Sequence, residues 1–95
     1  MYGVSIGNED IMADKNAIKM VSTLRKLIFS LLYDRPYAGG TRTDIVLMRR
    51  VDIFLESYVF EKSIEEIAGP EKSMQKYFEK IIIDITGRLR DMGVL

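Results

Sequence analysis

Apolar residues in this chain recur at three- and four-residue steps through three long stretches, and no segment alternates with period two for long. Helices with a buried stripe need the first pattern, and half-buried strands would need the second. The chain is therefore expected to be all-α: a small helical bundle of three main helices plus one short helical turn. Its 95 residues suffice for one domain with a thin core, since a chain of this size buries only about 60–70% of its unfolded surface.

The first helix is expected from Asp14, a potential N-cap, to Tyr33. Ala17, Ile18, Val21, Leu24, Ile28 and Leu31 form its stripe, widened by Met20, Leu27 and Leu32. Residues 1–13, with two glycines and the polar run Asn8, Glu9 and Asp10, read as a flexible or loosely docked N-terminal arm, leaving 14–95 as the single helical domain. Pro36 and the glycines of "DRPYAGG" end the helix, because the residue before proline avoids helical geometry.

The second helix starts in "TRTD", where Thr41 and Asp44 approximate a capping box, and runs to about Phe60. Leu47, Val51, Phe54 and Tyr58 make one stripe, and Val46, Ile53 and Phe60 a second, while Met48, Leu55 and Val59 add further apolar surface. Polar residues keep only a narrow band around Arg49, Asp52 and Glu56. A helix apolar over most of its circumference must be covered over most of it. One small chain is not expected to supply that cover. A homodimer with a shared core would, using Val46, Leu47, Val51, Ile53, Phe54, Tyr58 and Phe60 as its interface.

Ser63 and Glu66 have capping-box spacing for a short turn over Ile64 to Ala68. Gly69 can close it, and Pro70 suits the first position of a last helix reaching about Met92. "SIEEIAGPEKSMQKYF" thus has the flavour of a helix-turn-helix, with Lys72, Ser73, Gln75, Lys76 and Lys80 on its second helix, helped by Arg42, Arg49 and Arg50. Three features count against that reading. Its turn is about one residue where three or four are usual, residues 63–71 are acidic, and only Leu95 and its neighbours remain for a wing. A capped elbow between packing helices is the preferred reading.

The net charge of zero hides an uneven chain. Residues 25–50 carry six basic side chains against two acidic, and residues 51–71 six acidic against one basic. Solvated bundle faces account for this most simply. A self-complementary dimer is one alternative. Another is an anion patch around "YAGGTRT", flanked by Arg35 and Arg42 at a helix N-terminus. The glycine spacing is not that of a P-loop. Lys72, Lys76 and Lys80 share a helix face by their four-residue spacing, enough for about three phosphate contacts.

The chain has neither cysteine nor histidine. Disulfides, thiol catalysis and structural zinc are thereby removed, and most triad chemistry with them. Glu65 and Glu66 would be the acids of a carboxylate enzyme, but their spacing suggests no converging pair. No catalytic residue, metal site or cofactor is expected. No apolar run approaches the roughly 20 residues of a membrane span, and "MYGVSIGNED" does not read as a secretory signal, so the expected location is cytoplasmic. The expected function is non-enzymatic: regulatory or scaffolding protein–protein interaction as a homodimer. A helix-turn-helix-like nucleic-acid-binding regulator using residues 63–80 is the alternative.

Overall fold

The computed structural model describes residues 2–95, with side-chain surroundings from residue 16 onward. The fold is all-α, with helices α1 (Tyr2–Tyr33), α2 (Arg42–Tyr58), α3 (Ile64–Ala68) and α4 (Lys72–Asp91). No strand occurs among the described residues.

Helix α1 does not start at Asp14. The backbone is helical from Tyr2 through residues 2–13, the segment expected as an arm. No proline interrupts this stretch, so the hydrogen-bond ladder runs past the capping option that Asp14 offers. Whether its side chains dock loosely lies outside the described side chains. The helix ends one residue earlier than the proline signal requires. Asp34 takes a left-handed conformation (φ 53°), and its N–H donates to Ser30 O at 2.9 Å. Aspartate tolerates this better than most residues other than glycine.

Helix α2 is the centre of the bundle. Thr41 caps it, its Oγ1 accepting from Asp44 N at 3.1 Å. The Asp44 side chain does not complete the capping box. It turns to the guanidinium of Arg35. Met48, Val51, Ile53, Phe54 and Leu55 are buried, against Ile28 and Phe29 of α1 and Phe78, Ile81, Ile85 and Leu89 of α4. Leu47 is half-buried against the same core. Three neighbouring helices therefore cover most of α2 within one chain, more than its wide apolar girth led one to expect. Burial of a large apolar side chain is worth about 1.5–3 kcal/mol, so these eleven residues hold the fold.

Helix α3 spans the residues expected of it. Ser63 Oγ accepts from Glu66 N at 3.3 Å. Gly69 closes the turn at φ 84°, its N–H donating to Glu65 O at 2.8 Å. Helix α4 begins at Lys72, not Pro70. Glu71 is its extended N-cap (φ −75°, ψ 122°), and Gln75 Nε2 donates to Gly69 O at 2.8 Å. Proline fixes φ but not the ψ of its neighbour, and here the tie from Gln75 accompanies a turn of three residues: Gly69, Pro70 and Glu71. Arg88 and Arg90 sit in the last turn of α4, where they complement its dipole.

Candidate protein-interaction surface

The stripe of α1 separates into two rows. Ile28 and Phe29 are buried, with Leu32, Tyr33 and Leu24 packed against the core. Met20, Leu27 and Leu31 lie on the other side of the helix and face solvent, Met20 at 73% and Leu27 at 54% exposure. Residues 20, 27 and 31 lie within about 40° of one another on a helix that turns 100° per residue, and Ile28 and Leu32 are about 100° away.

Toward the N-terminal side of the bundle even the inward row loses its cover. Ile18 is 68% exposed, because α2 ends at Tyr58 and only Val59 and Phe60 continue beside α1. Two shallow grooves result. One runs along Ala17, Met20, Leu24 and Leu27 with Val59 at its edge, and the other along Ile18, Val21 and Arg25 with Phe60. Together they make one apolar surface on α1 and the end of α2.

The residues expected at a dimer interface divide sharply. Val51, Ile53 and Phe54 are buried inside the chain, and a partner cannot reach them without opening the core. Val46, Tyr58 and Phe60 are exposed. Of these, Phe60 borders the α1 surface. The α1 side chains themselves were visible in the sequence as a widened stripe. What the sequence concealed was which half of that stripe the rest of the chain covers.

The expected anion-contact residues are likewise dispersed. Arg35 is held by Asp44, and its guanidinium carbon lies 5.9 Å from the centre of the Phe29 ring. Arg42 and Arg49 are exposed on α2. Arg49 shares a small hollow with Asp52 and Glu56, so an anion placed there would meet carboxylates. Arg50 is half-buried and belongs to a polar junction with Tyr33, Asp84 and Arg88, where burial raises the Tyr33 hydroxyl pKa above its ordinary value and the two arginines offset part of that rise. Lys72, Lys76 and Lys80 are exposed along α4 and have no ion-pair partner among the described residues. Glu79 lies on the same side of the helix by its spacing.

Four carboxylates among the described side chains, Asp44, Asp52, Glu56 and Asp84, are held in ion pairs. Asp52 accepts two bonds from Arg25, at 2.5 and 3.0 Å, and Glu56 pairs with Lys62 at 3.5 Å. Glu65 and Glu66 are exposed on α3. No group of three metal-ligating side chains occurs among the described residues, and none of their helices is long and apolar enough to cross a membrane. Compared with known proteins, the chain matches no family model, no curated protein and no solved structure.

Proposed function

We propose that this chain is a non-enzymatic protein that works through protein–protein contact as a homodimer, in a regulatory or scaffolding role. The observation that carries the reading is the uncovered apolar surface of α1, where Met20, Ile18 and Leu27 stand in water beside Val59 and Phe60. Contiguous apolar surface of this kind marks an interaction site more often than solvated surface. In this reading the contact runs over α1 and the end of α2 rather than over Val51, Ile53 and Phe54, which the chain's own core takes up. Sedimentation of the full chain at micromolar concentration tests it. A dimer is expected, and a stable monomer at that concentration overturns the homodimer.

One observation favours a second reading, a nucleic-acid-binding regulator. The turn between α3 and α4 has the three residues usual for a helix-turn-helix, and the exposed row Lys72, Lys76, Lys80 opens the helix that follows it. The five-residue α3 and the nearby Glu65, Glu66 and Glu71 weigh against it. Titration against duplex DNA decides: absence of binding at low salt removes this reading.

A further inference from the structure

Ala17, Met20, Leu24, Leu27 and Leu31 follow one another at steps of three, four, three and four residues. That is the seam of a heptad repeat, the pattern by which one helix packs along another. Ordinary amphipathic helices spend such a seam on their own core. Here the core takes the neighbouring row of Ile28 and Phe29, and the seam is left outside, with Leu24 half-buried between the two.

We infer that this seam packs against the same seam of a second copy of the chain, so that two α1 helices form a short two-stranded coiled coil across a two-fold axis. This rests on the homodimer reading above and names its contact.

One property favours a second copy as the occupant, the charge of the flanks. The positions bordering the seam from Met20 to Leu31 are Val21 and Ile28 on one side and Thr23 and Ser30 on the other, none of them charged. Lys19 and Lys26 fall on the outer face. Two identical helices therefore meet without setting like charges against each other, the usual obstacle to self-pairing at these positions. The Ser30 hydroxyl already donates to Lys26 O at 3.0 Å, so it loses little on being covered. A charged partner helix would find no complementary group along the seam.

Area limits the strength of the contact: closing the exposed parts of Met20, Leu27, Leu31 and Val59 on both copies removes less than the roughly 1,000 Å² that a stable interface clears. A partner contacting these side chains alone would be weak, so the pairing is expected to show at micromolar rather than nanomolar concentration.

The chain's lack of cysteine gives a direct test, since any introduced thiol is its only one. Met20→Cys, Leu24→Cys, Leu27→Cys and Leu31→Cys are oxidised singly and in pairwise mixtures of the full-length chain, with Lys26→Cys and Ile83→Cys as exposed positions off the seam. Disulfide-linked dimers at seam positions are expected, singly for parallel helices and in mixtures such as Met20→Cys with Leu31→Cys for antiparallel ones. Leu27→Lys is expected to weaken association at least tenfold while leaving helicity unchanged. A chain that sediments as a dimer yet links only through Ile83→Cys, or ignores Leu27→Lys, overturns the seam and leaves the homodimer standing. A monomeric chain overturns both.

Discussion

Arg35 and Asp44 form an ion pair that closes the loop between α1 and α2. Asp44 is the one charged residue buried among those described, at 2% exposure, while the Arg35 side chain keeps 46% of its surface in water. The carboxylate also sits in the first turn of α2, where the helix dipole favours negative charge. Arg35→Ala strands it without its partner. The expected cost is about 2 kcal/mol, less than for a fully buried pair because the helix terminus still supports the charge. Urea denaturation measures it, and Arg35→Lys should recover part of the loss.

Phe54 and Tyr58 stack at 5.3 Å between ring centres, yet their substitutions should differ widely. Phe54 is 1% exposed, and Phe54→Ala is expected to cost about 3–5 kcal/mol by leaving a cavity. Tyr58 is half in water, and Tyr58→Ala should cost about 1 kcal/mol or less. Thermal unfolding of the two variants side by side checks the division of the α2 stripe.

Tyr33 should make stability depend on alkaline pH. Its hydroxyl titrates above the ordinary tyrosine value, because burial disfavours the phenolate. The folded chain thus holds this proton more tightly than the unfolded chain. The contribution is complete below the unfolded pKa of about 10 and is lost as pH rises from there through the folded pKa. Unfolding measured between pH 9 and 11, on the order of one unit either side of that value, should show a shallower fall for Tyr33→Phe than for the parent chain.

The α4 lysines separate the two functional readings. Lys72→Gln, Lys76→Gln and Lys80→Gln combined should shift stability by less than about 0.5 kcal/mol, since all three are exposed and have no ion-pair partner among the described residues. If duplex DNA binds the parent chain, the same variant should lower the log–log salt slope of binding by about three. An unchanged slope would separate α4 from any such binding.

The helices and their order were legible because three- and four-residue periodicity reports them directly, and Ser63 through Ala68 could be bounded to the residue. The placement of α2 was not. Counting its apolar residues shows that something must cover them, but only packing shows that α1, α3 and α4 bury Met48, Val51, Ile53, Phe54 and Leu55 and leave Val46 and Tyr58 exposed. The start of α4 was misplaced by two residues: Gly69, Pro70 and Glu71 form a three-residue turn, bridged by the bond from Gln75 Nε2 to Gly69 O, where a one-residue elbow was expected. The distinction bears on function. On α1 the sequence marks Met20 and Leu27 as apolar but is silent about cover, because a helix face learns its fate from the neighbours it meets.

Helix α1 is unevenly anchored, and this sets how long its amide protons last in heavy water. From Asn16 to Leu27 no side chain is buried, whereas Ile28 and Phe29 are sealed in the core. In a lone chain the backbone around Ile28 should open only with the whole fold, while the turns from Asn16 to Leu27 open by themselves and exchange sooner. One uninterrupted helix would then carry a steep gradient of protection. Association along Met20 and Leu27 would flatten that gradient as concentration rises, so hydrogen exchange followed against dilution would read the assembly from the backbone itself.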